Sequence, residues 1–473
     1  MPDGLVAVVK RDCPTCTLVE PVLGQLAAAV PLTVCSQDDP AFPDGVSPCD
    51  DSDLRASYEA EVEIVPTLLR VSGGVVGERL VGWRREDWER FTEVAGLGQG
   101  LPEYRPGCGS RTLDPGMPER LAGLYGGEKL RARKVELASL EDPFEAMYER
   151  GWSDGLPLVP PTRERVLRML EGTRRGPQEV VAVVPPDLAE CTVEKAAINA
   201  VMAGCRPEYL PVVLAALEAA CTDEFNIHGL LATTWAAGPV LIVNGPVAAR
   251  IGMNWGGNAL GQGNRANATI GRALQLIVRN VGGGRPGEID RATHGNPGKY
   301  TFCFAEDEQN SPWESLAVER GVGASRSAVT LFAGSGVQPV VDQLSRKPES
   351  LSRSLAACLR VVAHPKQALA WDALLVVSPE HARVFREAGW SKARLREELD
   401  GLLRLPGSEL VRGAGGMAEG MPPQVAAGDV PKFRPGGLLI VHAGGSAGLF
   451  SAIVAGWVSG ATGSQPVTKE IEA

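Results

Sequence analysis

Histidine is scarce in this sequence, with five in 473 residues, and neither an HExxH nor an HxH motif occurs. A metal centre built from histidine ligands is therefore not expected. Positive charge is also thinly spread, because the net charge is −10 and no run of Lys or Arg is present. A basic surface for nucleic acid is therefore not expected either.

Signals for export or for membrane insertion are also missing. Met1 is followed by Pro2 and Asp3 rather than by a basic and apolar leader. The ten cysteines are therefore expected as reduced thiols in a cytoplasmic protein. Residues 436–463 are nearly uncharged, but their many glycines and His442 favour a buried strand and helix over a membrane span.

The length of the chain exceeds that of one typical domain, and its patterns divide it into three parts. Residues 1–96 alternate between short apolar strands and helices. Residues 97–140 are rich in Gly and Pro and predict a linker. Residues 141–473 predict a larger α/β domain, which has room for two subdomains. No internal repeat is evident.

Two cysteines occur close to the start, in "VVKRDCPTCTLVEPVL". Residues 5–10 predict a strand and residues 17–29 have helical apolar spacing, so Cys13 precedes a helix that Pro14 begins. The free N–H groups of a helix start stabilise a thiolate, and Cys16, one turn later, is placed to resolve a mixed disulfide. We predict a redox dithiol. A metal site and an inert pair are the alternatives, although no second Cys or His pair has zinc-like spacing.

The order of elements over residues 1–96 is strand, CPTC, helix, strand, helix, Val-Pro-Thr strand, strand, helix. This order resembles the thioredoxin superfamily, close to its minimal, glutaredoxin-like layout. The resemblance implies a cis peptide bond before Pro66, facing the CxxC motif. It also implies a redox-active dithiol that needs no further cofactor. The external reductant would be a thioredoxin reductase-type protein or a low-molecular-weight thiol.

The predicted linker at 97–140 contains one cysteine, Cys108, within "PGCGS". Flanking glycines predict an exposed and mobile thiol. Such a thiol is suited to relay electrons between the two domains. The alternative is an incidental loop cysteine.

The larger domain contains six apolar runs of strand length, most of them followed by helical patterns. They lie at residues 180–185, 239–245, 300–306, 328–334, 373–379 and 437–445. Such runs are typical of a mostly parallel sheet covered by helices on both faces. Ligands bind such sheets at the carboxyl ends of the strands.

Cys205 lies between a helix that ends at Gly204 and a helix that Pro207 begins, with Arg206 beside it. The helix dipole and the cation both favour a thiolate, so we expect a nucleophile or a redox partner of the CxxC motif. The alternative is a small residue in the core.

Polar groups in the larger domain predict a site for a small anionic substrate. A loop rich in Gly and Asn leads into a helix that carries arginines, and a Gly-rich turn with a helix predicted after it follows the last strand. The candidate binding residues are Arg206, Asn254, Asn264, Arg265, Arg272, Lys299, Gly444, Gly445 and Ser446. The alternative is a Gly-rich turn followed by a solvated arginine face. Glu306, just past a strand, and His381, at the start of the helix predicted after another strand, are further candidate catalytic residues.

Phrases such as "WSDGLPLVPPT", "NAVMAGCRPEYLPVV", "NRANATIGRA" and "GKYTF" resemble those of a widespread bacterial family without an assigned activity. This resemblance covers residues 140–473 and implies no particular chemistry.

Together these features predict a thiol-dependent enzyme, an oxidoreductase or a lyase. Cys13 and Cys16 would support chemistry at Cys205 on a small anionic organic substrate. The first alternative is a protein that binds soft metal ions or senses redox state through its thiols, without turnover. The second is a metabolic enzyme that is regulated by its redox domain. A homo-oligomer is expected for a metabolic enzyme.

Overall fold

The computed structural model describes residues 3–46, 48–115, 117–126, 130–135, 137, 141–460 and 463–472. The chain forms two compact units. The first comprises Met1–Lys129 with Arg163–Leu167, and the second comprises Leu130–Thr162 with Arg168–Ala473. Within the described ranges, every helix is too short or too polar to cross a bilayer.

Over the described residues up to Gly126, the first unit contains nine short strands and four helices. The strands are β1 (Gly4–Val9), β2 (Leu32–Ser36), β3 (Pro48–Asp50), β4 (Ile64–Val65), β5 (Thr67–Ser72), β6 (Val75–Val81), β7 (Trp83–Arg84), β8 (Tyr104–Arg105) and β9 (Cys108–Gly109). The helices are α1 (Pro14–Ala29), α2 (Arg55–Glu59), α3 (Arg85–Thr92) and α4 (Met117–Tyr125), and Arg111–Leu113 form a 3₁₀ turn.

Five of these strands form a mixed sheet in the order β3-β2-β1-β5-β6. The central strand β1 pairs in parallel with β2 and antiparallel with β5. Helix α1 contributes Val19, Val22, Leu23 and Leu26 to the core of this unit, in agreement with the apolar spacing of the sequence. The peptide bond between Val65 and Pro66 is cis, which confirms what the resemblance implied.

Part of the segment predicted as a linker is folded onto the first unit. Strand β8 pairs with β7, and β9 pairs with β4, both antiparallel. The 3₁₀ turn and α4 follow within the same unit. Gly and Pro density therefore marks tight turns between very short strands here.

The second unit contains most of the described helices, one seven-stranded sheet and two-stranded sheets. The helices are α5 (Pro143–Glu149), α6 (Arg163–Leu170, of which Arg163–Leu167 are assigned to the first unit), α7 (Val193–Ala203), α8 (Leu210–Ala220), α9 (Ile227–Ala232), α10 (Pro246–Arg250), α11 (Arg265–Asn280), α12 (Leu316–Glu319), α13 (Pro348–Arg360), α14 (Pro379–Glu387), α15 (Lys392–Leu402) and α16 (Gly407–Leu410). Further 3₁₀ turns lie at Pro207–Tyr209, Pro297–Lys299, Ala414–Gly416 and Pro423–Ala427.

The strands of this unit are β10 (Val180–Val184), β11 (Ala189–Thr192), β12 (Gly238–Asn244), β13 (Cys303–Ala305), β14 (Ala328–Val341), β15 (Ala373–Val377), β16 (Arg404–Pro406), β17 (Asp429–Pro431), β18 (Leu438–His442), β19 (Phe450–Gly456) and β20 (Val467–Glu470). Seven of them form the main sheet, in the order β13-β12-β14-β19-β15-β18, with β20 also paired to β14.

The prediction of a mostly parallel sheet is wrong. Only the pairs β12–β13 and β15–β18 are parallel, whereas the other four pairs of the main sheet are antiparallel. Both faces of the sheet are covered: Leu375 and Ile440 belong to one apolar cluster, and the neighbouring Leu374 and Leu439 belong to another. A strand that is buried on both faces is apolar along its whole length, whether it pairs in parallel or antiparallel. Continuous apolar runs therefore do not indicate strand direction.

Two local expectations also differ from the structure. The run at 180–185 forms a separate hairpin with β11 instead of joining the main sheet. The helix expected after the Gly-rich turn is strand β19, which pairs antiparallel with both β14 and β15. Its residues, including the β-branched Ile453 and Val454, fill a place between two strands, and this tertiary pairing outweighs local helical spacing.

Helix α11 begins where the sequence predicts. Asn264 is its N-cap, and the side-chain oxygen of Asn264 accepts a hydrogen bond from the backbone N–H of Asn267. The apolar stripe of Ile270, Leu274 and Ile277 is fully buried. This stripe fixes which face of α11 turns away from solvent.

Candidate functional site

The CxxC motif lies at the turn between β1 and α1. Cys13 is the N-cap of α1, with an extended backbone, and its sulphur accepts a hydrogen bond from the backbone N–H of Cys16 at 3.3 Å. The carboxylate of Asp38 holds the residues just before this turn, because it accepts hydrogen bonds from the backbone N–H of Arg11 at 2.7 Å and of Asp12 at 2.9 Å. The sulphur of Cys13 is thereby fixed at the helix start.

The two thiols of the motif differ in acidity. The pKa of Cys13 is lowered to about 5, first by the hydrogen bond from the side chain of Cys16, then by Cys108 and by the backbone N–H groups of Cys16 and Thr15, against the effect of burial. The pKa of Cys16 is raised, first by burial and then by its hydrogen bond to Cys13. Cys13 is thus a thiolate at neutral pH, and Cys16 is a protonated donor.

The loop that carries the cis peptide bond lies beside this pair. The carbonyl oxygen of Val65 is 3.7 Å from the sulphur of Cys13. Beyond it, the carbonyl oxygen of Pro66 accepts a hydrogen bond from the N–H of Gly82. The Val-Pro-Thr segment therefore faces the dithiol.

Residues 104–109, from β8 to β9, form a segment that we call the strap. Cys108 is the register partner of Val65, and Gly109 is the partner of Ile64. The hydroxyl of Thr15, inside the CxxC motif, donates a hydrogen bond to the carbonyl oxygen of Pro106 at 2.7 Å. The strap is therefore attached both to the Val-Pro-Thr segment and to the motif itself.

The strap brings a third thiol to the dithiol. The side chains of Cys13 and Cys108 influence each other's acidity: the pKa of Cys108 is raised, first by burial and then by its interaction with the side chain of Cys13. Cys13 is 1% exposed and Cys16 is fully buried, whereas Cys108 is half-buried. Cys108 is thus the most accessible thiol of the three, although it is less exposed than its flanking glycines predict.

A buried glutamine anchors the end of the strap. The side-chain nitrogen of Gln37 donates hydrogen bonds to Ser57 and Ser110, at 2.8 and 2.7 Å, and its side-chain oxygen accepts one from the N–H of Arg111 at 3.1 Å. Gln37 is fully buried, so these bonds satisfy a group that water cannot reach. The sequence contains no local signal for this anchor.

Close packing leaves no room for a side chain at Gly107. A Cβ atom there would lie 2.3 Å from a side-chain carbon of Ile64 and 2.8 Å from the carbonyl oxygen of Val65. At Gly109, by contrast, a Cβ atom would meet no heavy atom within 4 Å. The strap therefore lies in van der Waals contact with β4.

The surroundings of Cys205 do not favour the thiolate that the sequence predicts. Its sulphur donates a hydrogen bond to the carbonyl oxygen of Thr269 on α11 at 3.3 Å, and burial raises its pKa to about 12. Arg206 is exposed, and a 3₁₀ turn separates Cys205 from the start of α8 at Leu210. The thiol of Cys205 is a buried, protonated group against the backbone of α11.

Three of the four cationic side chains predicted to bind an anion form hydrogen bonds or ion pairs within the second unit. Arg272 forms a bidentate pair with Asp154, with both N–O distances at 2.8 Å, and also donates to two backbone carbonyls. Lys299 pairs with Asp290 at 2.7 Å. Arg265 donates to the carbonyl oxygen of Gly204 at 2.9 Å, so α11 brings Arg265 and Cys205 together.

Two of the predicted substrate loops meet. The N–H of Gly444 donates to the carbonyl oxygen of Trp255 at 2.8 Å, and the chain at Gly445 packs against Gly257. The side chain of Asn254 closes its own turn with Gly256 and Gly257, and that of Asn264 caps α11. Ser446 is exposed. Strand β19 follows this turn, so the turn does not lead into the helix that the sequence predicts. The carboxylate of Glu380, in the first turn of α14, accepts a hydrogen bond from the N–H of Leu449 at 2.6 Å.

Glu306 and His381 lie in buried polar contacts. The carboxylate of Glu306 accepts hydrogen bonds from the side chain of Asn244 and the N–H of Leu316, both at 2.8 Å, and burial raises its pKa. His381, fully buried, contacts the hydroxyl of Ser451 at 2.8 Å and the carbonyl oxygen of Asp342 at 3.1 Å. Both side chains connect strand ends to the helices that cover them.

Among the described residues, no three His, Cys, Asp or Glu side chains are grouped as metal ligands. No known protein family, curated protein or solved structure matches the chain. The three thiols at Cys13, Cys16 and Cys108 are therefore the candidate site, on the basis of their geometry.

The lowered pKa of Cys13 makes its reactivity depend on pH. In the reduced protein, the rate of alkylation of Cys13 by iodoacetamide should rise through a midpoint at about pH 5, because the thiolate is the reactive form. Peptide mapping by mass spectrometry measures the rate at each pH, and Cys13 should react before Cys16. A midpoint near the ordinary cysteine value of about 8.5, or faster reaction of Cys16, would contradict the assignment of roles.

The bidentate pair of Arg272 predicts a structural rather than a binding role. Arg272→Ala should lower the free energy of unfolding by about 1.5–3 kcal/mol, because a charge-assisted pair is lost and Asp154 stays partly buried. Arg265→Ala, at an exposed position with one backbone contact, is the control and should cost less than about 0.5 kcal/mol. Urea unfolding followed by circular dichroism measures both, and equal costs would refute the distinction.

Proposed function

We propose that the first unit is a thiol–disulfide oxidoreductase module of the thioredoxin superfamily. The observation that carries the proposal is the geometry at one helix start, where Cys13 is the N-cap of α1 and its sulphur accepts a hydrogen bond from the N–H of Cys16 at 3.3 Å. The lowered pKa of Cys13 and the raised pKa of Cys16 agree with this geometry. The mixed sheet, the cis peptide bond and the 3.7 Å approach of Val65 to the sulphur support it. No further cofactor takes part in this chemistry.

The reaction proceeds by two exchanges at sulphur. The thiolate of Cys13 attacks a substrate disulfide, forms a mixed disulfide and releases one substrate thiolate. Cys16 then gives up its proton to the departing group and attacks the sulphur of Cys13. The second substrate thiol leaves, and a Cys13–Cys16 disulfide remains. An external dithiol protein or a low-molecular-weight thiol returns the pair to the reduced state.

Cys108 adds a second route for resolution. The strap places Cys108 at the register position opposite Val65, whose carbonyl oxygen is 3.7 Å from the sulphur of Cys13. The sulphur of Cys108 can attack the sulphur of Cys13 in the Cys13–Cys16 disulfide while its proton passes to Cys16, which leaves as a thiol. This exchange changes which sulphurs are paired without net oxidation. Because Cys108 is half-buried and Cys16 fully buried, we propose that Cys108 relays the disulfide toward solvent.

The burial of the dithiol under the strap favours a second candidate function, that of a redox sensor without turnover. Cys13 is 1% exposed, so a partner reaches it only when the strap moves. In this alternative, oxidation of the three thiols changes the position of the strap. The proposal of an anionic substrate handled by Cys205 loses support, because burial raises the pKa of this thiol and because Arg272 and Lys299 are paired with Asp154 and Asp290.

Removal of Cys16 separates the roles of the three thiols. With glutathione disulfide, Cys16→Ser should form a Cys13–Cys108 disulfide, because Cys108 is the remaining neighbour of Cys13. The double variant Cys16→Ser, Cys108→Ser should instead keep one glutathione on Cys13, since no resolving thiol is left. Intact-mass and peptide mass spectrometry distinguish these products.

The outcomes of this experiment are separable. Cys13→Ser is the control, and it should form neither product. A glutathione that persists on Cys13 in the single variant would refute the relay by Cys108. The absence of an adduct on Cys13 in the double variant would refute the oxidoreductase proposal itself.

Movement of the strap can be tested without altering any thiol. Gly107→Ala should raise the rate of alkylation of Cys13 at pH 7 severalfold, because the added Cβ atom collides with Ile64 and Val65 and displaces the strap. Gly109→Ala, where the added atom meets open space, is the matched control and should leave the rate unchanged. Equal rates in the two variants would show that the strap does not limit access to Cys13.

A further inference from the structure

A second pair of thiols lies on neighbouring strands of the first unit. Cys35 on β2 and Cys49 on β3 are direct register partners in a parallel pair. Their sulphur atoms are 3.0 Å apart. Cys35 is buried and Cys49 is half-buried. Neither residue belongs to the three-thiol site, and no step proposed for that site uses them.

We propose that Cys35 and Cys49 form a second, reversible disulfide site, oxidised by a low-molecular-weight disulfide of the glutathione type. The first exchange takes place at Cys49, because its thiol is partly exposed. Its thiolate attacks the disulfide, releases one glutathione thiolate and leaves a mixed disulfide on Cys49. Cys35 then attacks the sulphur of Cys49, its proton passes to the departing glutathione, and the Cys35–Cys49 bond remains. Two protein thiols and one glutathione disulfide thus become one protein disulfide and two glutathione thiols.

The surroundings of the pair support this order of events. Burial, followed by the contact with Cys49, raises the pKa of Cys35, so Cys35 stays protonated until its partner is oxidised. Their positions as register partners place both sulphurs on the same face of the sheet, which is what a bond across two strands requires. The two cysteines are already neighbours, so the bond forms without exchange of strands.

The position of the pair gives the bond a mechanical effect. Cys35 is followed, two residues later, by Gln37, which anchors the strap, and then by Asp38, which holds the turn before Cys13. Directly after β3, the N–H of Asp51 donates a hydrogen bond to the carbonyl oxygen of Ser36 at 2.9 Å. A bond between β2 and β3 closes the segment between the two cysteines into a ring and fixes both of its ends. Oxidation therefore stabilises the support of the three-thiol site without touching its sulphurs.

The test uses the full chain with Cys13, Cys16 and Cys108 replaced by Ser, so that its result does not depend on the proposed function. After incubation with glutathione disulfide, remaining thiols are alkylated in denaturant and the peptides are mapped by mass spectrometry. A peptide that links Cys35 to Cys49 is expected. The oxidised form should also melt several degrees higher than the reduced form, because the closed ring restricts the unfolded chain.

Cys49→Ser in the same background is the control. It should give neither the linked peptide nor the shift in melting temperature. The proposal is overturned if Cys35 and Cys49 are both still alkylated singly after incubation with a large excess of glutathione disulfide. It is equally overturned if glutathione remains on Cys49 without transfer to Cys35.

Discussion

The contact between Cys16 and the sulphur of Cys13 is the constraint on which the chemistry of the first unit depends. It places the negatively charged sulphur of Cys13 at the free N–H groups of a helix start. These N–H groups donate hydrogen bonds to the thiolate in place of the water that burial removes. Other residues around the motif keep the sulphur of Cys13 in this position. Asp38 fixes the turn before the helix, and the Val-Pro-Thr segment contacts the sulphur of Cys13 through the carbonyl oxygen of Val65. These contacts come from helix α1, from the segment after β2 and from β4, so parts of the unit that are distant in sequence together fix the position of the sulphur.

The sequence predicted the parts of this site that depend on local pattern. A strand followed by Cys-Pro-Thr-Cys at a helix start is a local feature, and so is the Val-Pro-Thr segment. The strap could not be predicted, since β4 and β9 are two residues long and far apart in the chain. Strands so short have no periodicity of their own. Their pairing depends on Gln37, Thr15 and the absence of a side chain at Gly107, which are contacts made only in the folded unit.

In the second unit, residue type was a poor guide to role, because role depends on partners. Arg272 has the chemistry of an anion-binding residue, yet Asp154, distant in sequence, neutralises it. Cys205 has a helix start and an arginine nearby in sequence, yet its sulphur lies against a carbonyl group of α11. Strand direction was equally hidden, since burial on both faces makes parallel and antiparallel strands alike in composition. Only the pairings distinguish them.

The strap is part of the same chain as β4, and this affects how a partner polypeptide competes with it for that strand. A tethered segment acts on its binding edge at an effective concentration on the order of millimolar, whatever the amount of protein present. A polypeptide that pairs with β4 therefore has to displace the strap, and dilution of the protein does not weaken the binding of the strap. Weak encounters are rejected, and only a partner with contacts beyond this edge can hold the site open. Selectivity among partners thus arises because the strap and the strand β4 that it covers belong to the same chain.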